Sequence, residues 1–581
     1  MFSSRSTFIL SASAALSRNL TIHICKQDFK NFFSVGVKKA SFKMAEKFTL
    51  TSPYDPIPPS PFKTVHEYLL DKVAAFTASG KSYYAIDAIS KEKRYFNKFD
   101  EESKKIASVL YKKGVRKGDF VIYMPADMIK LHIFITGVWR ANGVCRASYP
   151  DDDPATIESR IREGNCKVIL CDSNRTDLCK EGMKNVEWPV EIITTTKCEG
   201  FLSVDDILES EDGTMFPENE VGGDDLALIL CTSGTTGPPK GAVLTHGALV
   251  QHVEFIAHFP FTVSKPNLAF SVATHYSGTL FPLGILSSGN TTILTGKVSK
   301  ELLWKSVSEM KPGLVFAFPT YLLTLVEPDS KGYNFDSIEI ILAGGSLITP
   351  AIKRSLFQLP NLKDIINAYG MSESGILATN VIYKSDRKTL TITKEPHDFS
   401  CGTACPGTTI QFRNPETLEI LGPNQKGELC AYNDFLFQSY LNNPEATKSS
   451  FIGKYVRTGD LGYFNEDGEI FVVDRLKEIF KYYNNHISPG EIENVISDHP
   501  LVKEVCVIGV SDPGGDVPRA FITLKECPTN INEIEEQVKE FANAKLPAYK
   551  HLKGGLYVVP DLPKGKSGKI VRQLVAQIAV K

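Results

Sequence analysis

The sequence predicts an α/β protein: a large N-terminal part of parallel αβ subdomains joined to a β-rich subdomain, then a small α+β unit at the C-terminus. Three observations predict it. Near-continuous apolar strand runs alternate with helical patterns through the first two thirds of the chain. After Gly407 the texture changes to short strands of alternating apolar and polar residues with turn residues between them. The last stretch, about 105 residues beyond Asp474, carries helices and strands of its own. With 581 residues the chain is too long for one ordinary core. A composition of 42% hydrophobic and 23% charged residues, without an uncharged apolar run of bilayer length, excludes disorder, a collagen-like repeat and a membrane channel.

In chain order, Pro53, Pro56, Pro58, Pro59 and Pro61 mark an extended lead-in to the folded part. His66 to Ala78 and Phe99 to Lys113 repeat apolar residues at helical spacing, and Phe120 to Met124 is a strand-like run. The runs Val168 to Cys171, Leu226 to Leu230, Thr291 to Leu294 and Ile338 to Leu342 are apolar enough for parallel strands buried on both faces. Thr409 to Phe412, Glu428 to Tyr432 and Glu469 to Val473 are the alternating strands of the β-rich part, which spans about 405–473. Beyond it come a helix at Glu491 to His499, strands at Val502 to Val510 and Arg519 to Leu524, a helix at Ile531 to Lys545 and a strand at Gly555 to Val559. The domain reading is a leader over 1–43, a large domain over 44–473, a hinge at 474–477 and a small domain over 478–581.

Lys+Arg 65 against Asp+Glu 67 gives a net charge of -2, so no global field draws the chain to nucleic acid or a membrane surface. The charge is unevenly placed. Residues 1–43 hold seven basic residues against Asp28 alone, which makes the leader +6 and the remainder -8. A basic, Ser-rich, acid-poor leader suits a mitochondrial transit peptide cleaved near residues 20–45; Thr7 to Leu16 also fits a short secretory h-region, and translation from Met44 would leave a peroxisomal or cytoplasmic protein. The C-terminal Ala579-Val580-Lys581 lacks the Ser-Lys-Leu peroxisomal address. The 12 cysteines are scattered, lack the two-residue gap of common zinc and redox motifs, and read as reduced core thiols.

The most informative segment follows the apolar strand at Leu226 to Leu230. Thr232-Ser233-Gly234-Thr235-Thr236-Gly237-Pro238-Pro239-Lys240 offers hydroxyls, a bendable backbone whose N–H groups can turn toward anionic oxygens, and one cation. A triphosphate fits that chemistry. The lysine follows two prolines and no Ser or Thr follows it, so the segment is not the loop of P-loop NTPases.

That segment occurs in order with Tyr369-Gly370-Met371-Ser372-Glu373, Tyr455-Val456-Arg457-Thr458-Gly459-Asp460 and Pro563-Lys564-Gly565-Lys566-Ser567-Gly568-Lys569. With these four motifs the chain, from about residue 50 to its end, resembles the adenylate-forming superfamily. Within it the chain looks most like acyl-CoA synthetases related to 4-coumarate-CoA ligase and firefly luciferase. The resemblance implies a large domain with a small mobile C-terminal domain, the substrates ATP, coenzyme A and a carboxylic acid, and Mg2+. It implies two half-reactions, acyl-adenylate formation with release of pyrophosphate and then displacement of AMP by the coenzyme A thiol.

By resemblance, the ATP site comprises Thr232, Ser233, Gly234, Thr235, Thr236, Gly237 and Lys240 of the loop, Gly344 after the strand at Ile338 to Leu342, and Asn367, Ala368, Tyr369, Gly370 and Ser372, with Tyr369 against adenine. Glu373 is implied as the Mg2+ ligand, Asp460 as the acceptor of both ribose hydroxyls, with Arg475 as its helper, and Lys569 as the adenylation lysine. His275, fourteen residues before Gly289, is implied as the gate on the acyl carboxylate's path. Read from composition alone, His275 is a satisfied core histidine, and the bland alternative for Asp460 is a solvated turn residue. Lys477 is the expected pivot, and Lys481, Tyr483, Asn484 and His486 the face for the thioester step. Tyr483-Asn484 stands where relatives commonly have Lys-Gly, and Asn367-Ala368 where they often have Gln-Gly. Medium or long fatty acids are the expected substrates; a 4-coumarate-like aromatic acid is the alternative, and a luciferase-like monooxygenase the competing chemistry. Oligomeric state is not legible.

Overall fold

A computed structural model describes residues 48–215, 220–232, 240–261, 264–346, 348–382, 391–392, 400–483, 485–525, 530–565 and 569–578. The basic leader and the loop residues 233–239 therefore lie outside the described residues. So do Asn484 and 566–568.

Two large sheets form the first part. The eight-stranded sheet runs, from edge to edge, Ser439–Tyr440, Gly241–Thr245, Leu226–Cys231, Val144–Ala147, Phe120–Tyr123, Cys166–Cys171, Glu191–Thr194 and Leu202–Ser203. The nine-stranded sheet runs Thr403–Ala404, Gly375–Thr379, Asp364–Met371, Ile340–Gly344, Leu314–Ala317, Asn267–Ala269, Thr292–Leu294, Tyr83–Asp87 and Lys93–Tyr95. Their central pairs are parallel and buried, as continuous apolar runs require. Helices of helical-period sequence cover them, among them Val65–Ala78, closed at its start by a capping box between Thr64 and Glu67, and Phe96–Lys112.

The sequence expects Leu226 to Leu230 to be an all-parallel strand, and here the structure differs. Leu226–Cys231 runs parallel to Val144–Ala147 but antiparallel to Gly241–Thr245. Only residues 232–240 join it to the latter strand, too few for the crossover a parallel return needs. The same logic operates at Asp364–Met371. Its parallel pairing with Ile340–Gly344 ends at Ala368, and the overhanging Tyr369, Gly370 and Met371 pair antiparallel with Gly375–Thr379 after a three-residue turn.

The β-rich part is a six-stranded antiparallel sheet built on Thr409–Arg413, Gly427–Tyr432, Tyr455–Phe464 and Ile470–Arg475. Leu50–Thr51, remote in sequence, adds an edge strand to it. The small unit has its own five-stranded sheet, in which the central strand Gly515–Leu524 makes a long hairpin with the edge strand Val502–Asp512, packed by Pro489–Ser497 and Ile531–Lys545 around a separate apolar cluster. The expected hinge is a short one: Ile470–Arg475 passes into a single 3₁₀ turn, Leu476–Glu478, and then into the small sheet at Phe480–Tyr482. Asp474 ties the turn to the small unit by accepting from Ser488 Oγ and Gly490 N, each at 2.7 Å. Salt bridges Arg354–Asp498 at 2.9 Å, Lys503–Glu327 at 2.8 Å and Lys426–Glu491 join the small unit to the large one.

The described cysteines are free thiols, buried apart from the half-buried Cys198. No helix among the described residues is long and apolar enough to cross a membrane.

Candidate active site

The carboxyl ends of the parallel strands, the start of the β-rich sheet and the C-terminal loop converge on one place. Tyr455–Phe464 alternates strictly between inward and outward residues, so its period places Asp460 on the same inward face as Val456 and Phe464, only 5% exposed. Directly across the ladder is Arg475, whose Nε lies 2.8 Å from Asp460 Oδ1. The overhang of Asp364–Met371 carries Tyr369 to the same carboxylate, and its hydroxyl donates to Oδ2 at 2.6 Å. Burial pushes the Asp460 carboxyl up, while Arg475 and Tyr369 counter it. A carboxylate has room for about four donors, so two more hydroxyls can join.

Glu373, 6% exposed, accepts from Tyr440 Oη at 2.6 Å, and Lys240 Nζ stands 4.8 Å from the centre of the Tyr440 ring. Burial raises the Glu373 carboxyl, opposed by the Tyr440 hydroxyl and the charges of Arg475 and Lys240. Among the described residues no group of three or more His, Cys, Asp or Glu could hold a metal. A lone buried carboxylate nevertheless suits Mg2+, which is usually held by one or two carboxylates together with substrate phosphates.

Lys569 enters from the small unit. Its Nζ lies 5.9 Å from the centre of the Phe318 ring, and its Cε 3.4 Å from where a Cβ on Gly345 would be. Gly345 has φ +83°, and any Cβ there would meet Phe318 at 2.6 Å, so glycine is required for this approach. Desolvation, reinforced by the nearby Arg475 charge, lowers the Lys569 ammonium to about 8. His275, at the start of the helix Tyr276–Ser287, packs its ring against Phe318 at 6.0 Å and lies 3.3 Å from Tyr149 Oη through Nε2. Burial, helped by Lys569, lowers it to about 4 and leaves it a neutral imidazole at neutral pH.

The structure thus brings together Lys240, Gly344, Ala368, Tyr369, Gly370, Ser372, Glu373, Asp460, Arg475, Lys569 and His275, with Thr232 at the root of the loop. Ser233, Gly234, Thr235, Thr236 and Gly237 lie outside the described residues. Asn367 does not join the cluster: its side-chain amide donates to the Ser400 carbonyl and its N–H to Asn380 Oδ1, so it pins the strand from behind. Gly289 is also elsewhere, in the turn beyond the far end of the helix that His275 begins, where its φ of +72° and the Phe76 ring require glycine. Lys477 stands in the 3₁₀ turn within the field of Arg475 and Lys240. Lys481 and His486 pair across the hairpin Phe480–Tyr482 and Asn485–Ile487 and are exposed, as is Tyr483. Tyr483 takes φ +51°, strained for an aromatic residue. Sequence reasoning missed Tyr440, Phe318 and Tyr149, which belong to no motif and are found only by packing.

Comparison with known proteins decides the family. The model of the AMP-binding enzyme matches residues 77–441, and that of the AMP-binding enzyme C-terminal domain matches residues 491–569. This chain belongs to the AMP-binding enzyme family. It is therefore a member of the adenylate-forming superfamily. Among its relatives are 4-coumarate-CoA ligase 3 of Arabidopsis thaliana, 29% identical over 525 residues covering 88% of this chain and 90% of that protein, and 4-coumarate-CoA ligase 1 of Narcissus pseudonarcissus, 28% identical over 85% and 90%. The fold of this AMP-binding enzyme is similar to that of the anthranilate CoA ligase AuaEII in complex with anthranoyl-AMP, with a TM-score of 0.79 at 20% identity over 90% of this chain and 97% of that one. It is also similar to that of a benzoate CoA ligase from Burkholderia xenovorans LB400, with a TM-score of 0.75 at 21% identity over 88% and 99%.

Proposed function

We propose that this AMP-forming acid-CoA ligase activates an aromatic carboxylic acid, a benzoate or arylpropenoate, rather than a long fatty acid. The observation that carries the reading is the aromatic run that starts against His275. Phe318, Phe316 and Phe281 follow one another inward at 6.1 and 5.0 Å, the last two stacked, and Phe259 and Phe261 continue the run. Gly375 stands where a Cβ would strike the His252 ring at 2.6 Å and the Tyr276 hydroxyl at 3.0 Å. An aromatic run and a glycine beside His275 suit a planar acid better than a long flexible chain. The relatives named above, ligases of 4-coumarate, anthranilate and benzoate, support the same reading.

In the first half-reaction a carboxylate oxygen bonds to the α-phosphorus of ATP and the bond to pyrophosphate breaks. Two anions must approach, so charge stabilisation dominates. Lys569 supplies the cation toward the α-phosphate and acyl carboxylate, Asp460 accepts the ribose hydroxyls while Arg475 keeps it ionised, and Tyr369 offers its ring to adenine. Glu373 would hold Mg2+, which neutralises phosphate charge when bound. In the second half-reaction the coenzyme A sulfur bonds to the acyl carbon and AMP leaves with the electron pair of the broken carbon–oxygen bond. Lys569 points inward here while Lys481, Tyr483 and His486 face solvent, which supports reading this arrangement as the adenylating one and Lys477 as the pivot toward the other.

The test is pyrophosphate release by the full chain over a panel of acids, with and without coenzyme A. Aromatic acids should exceed fatty acids of eight to sixteen carbons by about 10-fold or more in kcat/KM. A preference for the fatty acids contradicts the reading, and light emission with luciferin would favour an oxygenase. The +6 leader supports delivery to mitochondria, which a full-length fusion found uncleaved in the cytosol or peroxisomes would contradict.

A further inference from the structure

Lys569 enters the cluster on a terminal segment with little regular structure of its own. Gly565 N donates to the Lys569 carbonyl at 2.8 Å and Val571 N to the Pro563 carbonyl at 2.9 Å, after which the chain makes a single helical turn, Arg572–Val575. A lone turn is far below the length at which a helix holds itself in water. The body of the small unit must therefore hold it. Val575, fully buried in a cluster with Cys506, Ile508, Phe521 and Leu562, anchors the turn, but apolar burial is non-directional and fixes no orientation.

Arg572 supplies the direction. Its Nη2 donates to both carboxylate oxygens of Glu493 at 2.7 Å, and its Nε to the Val507 carbonyl at 3.2 Å. Glu493 Oε1 also accepts from Val507 N at 2.7 Å. Val507 lies on the edge strand Val502–Asp512, so backbone groups that no further strand covers become the socket for this pair. The helix Pro489–Ser497, the edge strand and the terminal turn thus meet at one point, three residues beyond Lys569. Desolvation offsets much of the attraction in such a half-buried ion pair, so its value is geometric more than energetic. Asp474, just before the hinge turn, adds its field in this arrangement and favours the charge on Arg572.

We propose that Arg572 is a positioning residue for adenylation: by clamping the terminal turn to Glu493 and Val507 it makes the segment that carries Lys569 a rigid arm of the small unit. The inference rests on the reading of Lys569 as the adenylation lysine. Both half-reactions of the full chain, beside steady-state kinetics and the melting temperature, test it. R572M should lower kcat for acid-dependent pyrophosphate exchange by about 10- to 100-fold, since a misplacement of about 1 Å at a reacting centre can cost about 10²-fold. KM for ATP and for the acid, and transfer of a supplied acyl-adenylate to coenzyme A, should stay within about 2-fold of wild type. R572K, which keeps the charge without the fork, should recover part of the exchange rate. E493Q should also lower exchange, and R572M/E493Q no further than R572M alone, because both act through one clamp. A brace that served only folding would instead lower both half-reactions together with the melting temperature. Should R572M fail to fold, R572K and E493Q carry the test. Exchange within about 2-fold of wild type in R572M, equal loss of the two half-reactions, or losses that multiply in the double variant overturns the proposal. K569A run beside these variants separates the two levels: if exchange survives in it, the reading of Lys569 has failed, and the proposal with it.

Discussion

Lys569 is the residue whose chemistry can be read most directly from its surroundings. With its ammonium lowered to about 8 by desolvation and by Arg475, it carries charge below that pH and loses it above. In the proposed adenylation step the charged form is the one used, so kcat/KM for acid-dependent pyrophosphate release should hold below pH 8 and fall as pH rises through it. K569R should move that fall upward by more than one pH unit, and a pH profile identical to wild type would remove Lys569 from the step. Tyr440 gives a second expectation at this scale. Y440F leaves the buried Glu373 without its hydroxyl donor, which should raise the Mg2+ concentration for half-maximal activity by about 3- to 10-fold, measured by metal titration at saturating ATP. Of these two residues, Lys569 was legible because it sits in a motif of glycines and lysines. Tyr440 was not: its role depends on the edge strand Ser439–Tyr440 pairing with Gly241–Thr245, about 200 residues upstream.

Among the elements, the 3₁₀ turn Leu476–Glu478 bears the most consequence. The φ of about -50 to -70° that a 3₁₀ turn takes suits proline's fixed φ, so K477P should tolerate the present arrangement while denying the angles needed for rotation. Adenylation should survive, thioester formation should fall strongly, and bound acyl-adenylate should accumulate; equal loss of both rates would reduce the turn to a structural link. The three ion pairs between the units act on the other side of the balance. Each exposed pair contributes about 0.5 kcal/mol, so single variants should change little, whereas R354E, K503E and K426E combined should slow adenylation about 3- to 10-fold without slowing thioester formation from supplied adenylate. Periodicity made the elements themselves legible. Ile531 to Lys545 forms at the limits the sequence indicates, whereas the sequence reads the strand Tyr455–Phe464, whose alternation puts Asp460 inward, only as a turn motif. It could not tell that Leu226–Cys231 has an antiparallel neighbour, since burial on both faces produces the same apolar run in either pairing.

At the scale of the whole molecule, the site exists only where parts remote in sequence meet: the loop roots Thr232 and Lys240, the strand overhang at Tyr369, the β-rich strand at Asp460 and the C-terminal Lys569. The motifs identified those residues one at a time, but packing alone reveals that Phe318 packs against both His275 and Lys569 and that Asn367 faces Ser400 instead of the cluster. The central claim is that one lysine, delivered by the small unit, serves adenylation and not thioester formation. Measuring both half-reactions in K569A tests it most directly, by acid-dependent exchange of labelled pyrophosphate into ATP and by transfer of a supplied aryl-adenylate to coenzyme A. The account predicts that exchange falls about 10²- to 10³-fold while transfer stays within a few-fold of wild type. Equal loss of the two, or exchange that survives, would contradict it.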